Sequence, residues 1–207
     1  MLGIDPIRFV YFIVALLAAL TVHESAHALV ADWLGDPTGR RLGRISLNPL
    51  AHLDPTGTLM IFMSSLLGVG IGWGKPVPVN PFNLRGGPKT GMALVAAAGP
   101  ASNLLLATVL ALALQQDLPL PTWALHLLVV TVGINVFLAV FNMIPVPPLD
   151  GFRVLIGILP NGPAYALARV EQYGPALLLL LVFFGGGLLS RYLSFFGTPI
   201  LRVLGMA

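Results

Sequence analysis

Long runs of apolar residues alternate along this chain with short segments rich in Gly, Pro and charge. Residues 7–34 form the first run and predict one helix of 28 residues, about 42 Å long at ~1.5 Å per residue. A helix of about 20 residues already crosses the ~30 Å hydrocarbon core of a bilayer. Residues 91–114 and 123–144 predict two further crossings, and residues 174–189 are just long enough for another. The pattern predicts an α-helical integral membrane protein, a polytopic bundle of about four to six membrane segments.

The region between the first helix and residue 91 follows a different pattern. "RLGRISLNP", residues 41–49, alternates enough to predict a strand. The segment "GKPVPVNPFNLRGGPK" is predicted to be extended, because each Pro disfavours helix at the residue before it. Residues 58–73 are apolar but short, and they contain three glycines. We therefore expect a short β or extended region here, with residues 58–73 re-entrant or membrane-associated.

The C-terminal quarter is less regular. Residues 151–173 are of mixed polarity and weakly amphipathic. The tail from Arg191 combines Tyr, Phe and Arg in a pattern typical of an interfacial helix.

Composition supports a membrane-embedded chain. Of its 207 residues 57% are hydrophobic and 9% charged, with a mean hydropathy of +0.89, whereas soluble domains carry about a quarter charged residues. The net charge of +3 arises from few charges, which indicates basic loops and argues against nucleic-acid binding. The absence of Cys excludes disulfides and thiolate metal sites. No separate soluble domain is evident, so we expect one membrane-embedded domain over residues 1–207.

The motif "HESAH" lies within the first predicted helix. It places His23 and His27 four residues apart, which brings both imidazoles to one face, where they can bind the same metal ion. Glu24 lies close to that face and can take a proton from metal-bound water. Such a pattern also occurs by chance in amphipathic helices. Ionisable groups inside a membrane span are costly, however, which favours a functional interpretation.

A third metal ligand has to come from elsewhere in the chain. His52 and His126 are the other histidines, and the chain has eight acidic residues. Asp150 stands out because it follows an apolar run in "FNMIPVPPLDG". An ordinary helix N-cap would explain Asp150 taken alone. In a small membrane chain that also carries HExxH, the ligand interpretation is favoured.

Three motifs resemble the signature motifs of the site-2 protease family, the zinc intramembrane metalloproteases. They are "HESAH", "GPASN" at residues 99–103 and "NMIPVPPLDG" at residues 142–151. Their order and spacing match, and the resemblance extends to "SLNPLAHLDPTGTL" and "GWGKPVPVNPFN". It is strongest for the short prokaryotic members that lack an appended PDZ or CBS domain.

The resemblance implies a role for each motif residue. One zinc ion per chain would be bound by His23, His27 and Asp150, with Glu24 as the general base. The substrate would be a transmembrane protein, cleaved within or next to its membrane helix.

The resemblance also concerns two asparagines. It suggests that Asn142 helps to hold the substrate or the developing oxyanion, and that Asn103 lines the same site. Helix-to-helix hydrogen bonding is the alternative role for an amide within a membrane span.

A shared metal site constrains the topology. If the first helix and the 123–144 helix both reach one ion from their C-terminal halves, they run in the same direction, and residues 58–73 are not a full crossing. Residues 36–90 carry six basic residues against two acidic ones, whereas the loop "QQDLPLP" has no basic residue. The positive-inside rule then places the active site towards the cytoplasmic face of the cell membrane.

Two other functions fit a polar cluster in a membrane protein. A non-enzymatic metal transporter or channel subunit would use the histidines and Asp150 as transient ligands. A structural partner would use them only to fix helix packing. Glu24 distinguishes these alternatives, because a protease needs it as a base and the others would tolerate Gln.

Overall fold

The computed structural model describes residues 5–66, 74–116 and 119–206. The described residues are almost entirely helical, and no strand occurs among them. The α-helices are α1 Pro6–Trp33, α2 Thr38–Arg41, α3 Pro55–Leu66, α4 Gly87–Leu114, α5 Thr122–Asn142, α6 Asp150–Ile158, α7 Asn161–Ala168, α8 Gly174–Phe184 and α9 Gly186–Val203. Short 3-10 turns cover Pro49–Ala51, Pro81–Asn83 and Arg169–Tyr173.

Four helical stretches among the described residues are long and apolar enough to cross a membrane. They are Pro6–Trp33, Gly87–Leu114, Thr122–Asn142 and Asn161–Phe184. The first begins where the Asp5 side chain accepts a hydrogen bond from the backbone N–H of Ile7, and it ends before Gly35, whose φ of 108° stops the helix. The predicted multi-pass α-helical membrane fold is confirmed.

Helices α1, α4 and α5 form the centre of the bundle. Small side chains let them approach closely, as is common between membrane helices; Ala15, Ala19, Ala28 and Ala31 of α1 are fully buried. Val95 of α4 lies beside His27 whereas Asn103 lies beside Ala19, so α4 is antiparallel to α1. Asn135 in the middle of α5 contacts Asn103 and so lies at the level of Ala19. Asn142 at the C-terminal end of α5 borders the same cavity as His27. Helices α1 and α5 therefore run in the same direction, as predicted.

The strand predicted for residues 41–49 is wrong. These residues form the end of α2, turns and the start of a 3-10 turn, and the described part of the chain contains one isolated antiparallel bridge, between Leu53 and Gly74. Gly43 has a left-handed φ of 68°, which breaks an extended conformation. The side chain of Arg44 is buried beneath the loop, so the alternation of apolar and polar residues did not mark two faces of a strand. Residues 75–80 do lack helix, as the Pro-rich sequence predicted.

The described residues on either side of the segment predicted to be re-entrant lie together. Leu53 pairs with Gly74, and the N–H of Lys75 donates to the His52 carbonyl at 2.8 Å. Helix α3 has 12 residues, about 18 Å, which is too short to cross the hydrocarbon core; residues 67–73 of the predicted segment lie outside the described residues. Because Leu53 and Gly74 meet, the chain between them begins and ends on the same side of the membrane.

Helices α6 and α9 pack against this centre, and α7 and α8 lie outside them. Helix α6 packs against α4, and Gly174 at the start of α8 contacts Pro147. Helix α9 contributes Leu193 and Ile200 to an apolar cluster with α4 and α5, and the Leu204 carbonyl accepts a hydrogen bond from Gln115 at the end of α4. The tail predicted to be an interfacial helix from Arg191 is therefore the C-terminal part of α9, which packs along the bundle.

Candidate metal centre and active site

His23, His27 and Asp150 converge in the interior of the bundle. His23 Nε2 lies 3.0 Å and His27 Nε2 lies 3.4 Å from the same carboxylate oxygen, Oδ2 of Asp150. One ligand atom from each residue falls within 4.8 Å of the other two. The two histidines come from adjacent turns of α1, while Asp150 begins α6 just after α5 ends. The structure thus brings together all three residues that the sequence indicated as metal ligands.

The outer nitrogens of the two imidazoles show which atoms face the site. His27 Nδ1 lies 2.7 Å from the carbonyl oxygen of Val95, which can only accept, so this nitrogen carries the hydrogen. His23 Nδ1 lies 2.7 Å from Oδ1 of Asn103. In a neutral imidazole the other nitrogen, Nε2, then offers a lone pair to the site.

Nε2 of His23, Nε2 of His27 and Oδ2 of Asp150 are then three acceptor atoms that face one another. A cation bound between them would remove the repulsion among their lone pairs. Oδ2 of Asp150 is buried and has no hydrogen-bond partner among the described residues. Two imidazoles and a carboxylate form a donor set that zinc uses in catalytic sites. The residues present fit a zinc ion.

Gly99 leaves the room that such an ion requires. A Cβ atom at position 99 would lie 2.5 Å from His27 Nε2 and 2.6 Å from His23 Nε2, next to both metal-facing nitrogens. Zinc–nitrogen bonds are about 2.0–2.1 Å long, so even a methyl group there would compete with the ion for space. Gly99 is the first residue of the motif GPASN, and the motif alone did not indicate this role.

Glu24 borders the same site. It is partly buried and lines a cavity of about 580 Å³ together with His23, His27 and Asp150. The backbone N–H of Val77 donates to Oε2 of Glu24 at 3.2 Å. This contact links the carboxylate to residues 75–80, which form one wall of the cavity through Val77 and Val79.

The two candidate asparagines occupy different places. Asn142 lines the cavity, and its Nδ2 donates to the Leu138 carbonyl of its own helix at 3.0 Å. Asn103 is fully buried behind His23 and is not among the residues that line the cavity. Its Nδ2 donates to the Ala19 carbonyl and to Oδ1 of Asn135.

The remaining histidines lie outside the cluster. His52 is buried, and its Nε2 contacts the Ser46 carbonyl at 2.8 Å and Ser25 Oγ at 3.2 Å. His126 is exposed on α5.

Three residues near the site had no assigned role in the sequence analysis. Asn135 is fully buried in α5, and a lone amide in the apolar run "GINVF" was a signal that could have identified it. Arg44 donates to the carbonyls of Ala51, Lys75 and Pro76. Asp36, also fully buried, accepts from the N–H of Asn80 at 2.7 Å. The sequence marks Arg44 and Asp36 only as two of the charged residues between positions 36 and 90.

Comparison with known proteins finds one family and several curated relatives. The profile described as peptidase family M50 matches residues 115–184, a stretch that contains Asp150. YwhC from Bacillus subtilis is 35% identical over 179 residues, which cover 83% of this chain and 79% of that protein. Rip2 from Mycobacterium tuberculosis H37Rv is 32% identical over 196 residues, covering 92% of this chain and 71% of that protein. Both relatives carry zinc-metalloprotease names. No solved structure gives a significant match.

Proposed function

This chain belongs to peptidase family M50, the site-2 family of zinc intramembrane metalloproteases, and we propose that it hydrolyses a peptide bond within or next to the transmembrane helix of a membrane-protein substrate. One observation carries the proposal. Two histidines, an aspartate and a glutamate meet at one cavity inside a bundle of helices long enough to cross a membrane.

We assign one zinc ion per chain to His23, His27 and Asp150. The inward lone pairs, the unpartnered oxygen of Asp150 and the space left by Gly99 support this assignment. Zinc bound by three protein ligands keeps a place for water and lowers the pKa of that water to about 7. The three residues therefore serve to hold and orient the ion at the wall of the cavity.

Glu24 is the proposed general base. It lies on the same cavity as the ligands, and the Val77 N–H engages one of its carboxylate oxygens. That bond orients the side chain, so the other oxygen can take the proton of the attacking water and pass it to the leaving amine.

The two asparagines receive different roles. Asn142 lines the cavity and is proposed to contact the substrate or the developing oxyanion, because its amide can donate hydrogen bonds into the cavity. Asn103 lies behind His23 with its amide engaged by three groups. We therefore propose that Asn103 orients His23, whereas the resemblance suggested that it lines the substrate-binding site together with Asn142.

A membrane helix hides its peptide bonds in internal hydrogen bonds, so cleavage requires local unwinding. The unwound segment needs partners for its backbone, and pairing with an extended segment supplies them. Residues 75–80 lie on the cavity and are not helical, which makes them the proposed docking edge. Residues 41–49, which the sequence predicted to be a strand, form turns and helix ends and offer no such edge.

Cleavage by matched variants tests the proposed function. Purified wild type and Glu24→Gln, both with zinc content measured, are compared on a single-span membrane substrate in detergent. Gln keeps the shape of Glu but cannot accept the proton, so activity should fall about 10²–10⁴-fold while zinc is retained. His23→Ala should lose the zinc as well.

Each result of this comparison is informative. Equal cleavage by wild type and Glu24→Gln would exclude Glu24 as the base. Wild type that binds zinc but cleaves no membrane substrate would favour the metal transporter or channel alternative.

We further propose that the zinc end of the bundle faces the cytoplasm. The six basic residues between positions 36 and 90 belong to segments at that end, and positive charge is retained on the cytoplasmic side. The chain has no Cys, so single cysteines can be placed at the exposed residues Arg41 and Gln116. A membrane-impermeant thiol reagent added to intact cells should label position 116 and not position 41. Labelling of position 41 alone would reverse the orientation.

A further inference from the structure

A buried chain of amides runs through the three central helices and ends at the proposed zinc ligand His23. Asn103 of α4 and Asn135 of α5 are both fully buried. Asn135 Nδ2 lies 2.8 Å from the Thr131 carbonyl, and Asn135 Oδ1 lies 2.8 Å from Asn103 Nδ2. Asn103 Oδ1 then lies 2.7 Å from His23 Nδ1. The chain thus links α5 to α1 through α4.

The direction of each hydrogen bond follows from the first. The Thr131 carbonyl can only accept, so the donor group of Asn135 faces it and the Asn135 oxygen faces Asn103. The amino group of Asn103 therefore meets two acceptors, the Asn135 oxygen and the Ala19 carbonyl at 3.0 Å. This leaves the Asn103 oxygen facing His23, whose Nδ1 must donate.

The direction matters because an amide has nearly the same shape when it is turned over. If Asn103 were reversed, its amino group would face His23 Nδ1 and would require that nitrogen to be an acceptor. The hydrogen of the neutral imidazole would then move to Nε2, the atom that faces the metal site, and His23 would lose its ligand lone pair. His27 has no such dependence, since its partner is the backbone carbonyl of Val95.

We infer that Asn135 is a positioning residue for the metal centre. Its oxygen, together with the Ala19 carbonyl, holds the Asn103 amide in the one orientation that keeps Nε2 of His23 available to a metal. This inference rests on the proposed function, because it takes His23 as a zinc ligand. It adds a residue of α5 that touches neither the substrate nor the metal.

Zinc affinity measured by competition with a chelator tests the inference on purified full-length protein. Asn135→Ala removes the acceptor that holds Asn103 and should weaken zinc binding about tenfold, at the lower end of the 10–100-fold range for outer-shell partners. Asn135→Asp should retain affinity. A protonated carboxyl can donate to the Thr131 carbonyl and still accept from Asn103. If Asn135→Ala does not fold, Asn135→Val fills more of the space and replaces it.

A matched control and a rescue separate positioning from packing. Thr131→Val removes a buried hydroxyl that bonds the Leu127 carbonyl one turn away on the same helix, and it should leave zinc affinity unchanged. The double variant Asn103→Asp with Asn135→Ala should regain affinity, because a carboxylate presents an oxygen to His23 in either orientation. The visible spectrum of the cobalt-substituted protein should change in Asn135→Ala and return in the double variant.

The outcomes also separate this inference from the proposed function. Wild type that binds no zinc would contradict both. Zinc-binding wild type with an Asn135→Ala variant of equal affinity would overturn only the role of Asn135. Loss of zinc affinity in Thr131→Val, or no recovery of affinity in the double variant, would show that Asn135→Ala weakens zinc binding by disturbing helix packing. Either result would also overturn the inference.

Discussion

The back and the front of the site are built in different ways. Behind the ligands, α1, α4 and α5 pack through small side chains, and polar groups such as Asn103 and Asn135 are fully buried with fixed partners. In front, the wall of the cavity consists of residues 75–80, outside any helix, and of Leu178 from α8. Helix α8 leaves most of its apolar surface uncovered; Phe184, for example, is 84% exposed.

This contrast corresponds to two tasks. Metal chemistry requires ligands held within a fraction of an ångström, and a saturated network of buried hydrogen bonds supplies such rigidity. Substrate docking requires backbone that can pair with an unwound helix. The front is nevertheless anchored, since Arg44 binds the carbonyls of Lys75 and Pro76 at one end and Asp36 binds the N–H of Asn80 at the other.

The largest expected effect comes from filling the back of the site. Gly99→Ala places a methyl group about where the ion must bind, within 2.6 Å of both metal-facing nitrogens. We expect zinc affinity to fall by more than the ~10–100-fold that loss of an outer-shell partner costs, with loss of cleavage, because the methyl group occupies the place of the ion itself. Metal content measured by elemental analysis checks this prediction.

Gly133→Ala is the matched control for that change. Gly133 lies in α5, and beyond the adjoining turns of its own helix no atom of the described residues lies within 4 Å of the Cβ that Ala would add. Zinc binding should be unchanged, and thermal stability should rise slightly because Ala favours helix over Gly by about 1 kcal/mol. Full zinc content in Gly99→Ala would show that the ion is bound elsewhere.

An intermediate effect is expected at the front. Arg44→Gln cannot reach the three carbonyls that the buried guanidinium binds, so residues 75–80 lose one anchor. A misplacement of about 1 Å costs up to about 100-fold in rate, and we expect a 10–100-fold loss of kcat/KM with zinc content unchanged. Arg41→Gln changes an exposed arginine three residues away and should have little effect.

Two outcomes for Arg44→Gln would contradict the division of the site into a metal-binding back and a substrate-docking front. Zinc loss in Arg44→Gln would mean that the front also supports the metal. Unchanged cleavage in this variant would mean that substrate does not dock on residues 75–80.

The sequence predicted the back of the site better than the front. Apolar run lengths identified the spans, and HExxH with Asp150 identified residues that the fold does bring together, because helical periodicity is local and polar residues in apolar runs are conspicuous. The front depends on contacts between side chains and distant backbone, such as Arg44 with the Lys75 carbonyl. Every residue has a backbone carbonyl, so the order of side chains in the sequence does not show which carbonyl Arg44 will bind. Arg44 is buried because it binds these carbonyls. The alternation in residues 41–49 therefore did not reflect the two faces of a strand, and the strand prediction was wrong.

The smallest expected effect concerns the second anchor and depends on pH. Burial acts to raise the pKa of Asp36, but hydrogen bonds from Thr38, Asn83 and Asn80 outweigh it and hold the pKa below its usual value of 3.8. A carboxylate with a lowered folded-state pKa stabilises the protein above its unfolded pKa, and this contribution is lost as the pH falls through the folded value. Asp36→Asn should therefore be less stable than wild type at neutral pH, by about 2 kcal/mol for hydrogen bonds to a charged group, and the difference should shrink below about pH 4.

Thermal unfolding of both proteins in detergent, made metal-free with a chelator so that zinc release does not contribute, measures this difference against pH. Asp5→Asn is the control, because Asp5 is exposed and Asn caps a helix as well as Asp does. Its stability should follow that of wild type at every pH. A constant difference between wild type and Asp36→Asn from neutral pH down to pH values well below 3.8 would show that the charge of Asp36 does not hold this anchor. The front of the site would then depend on Arg44 and on the shape of the loop.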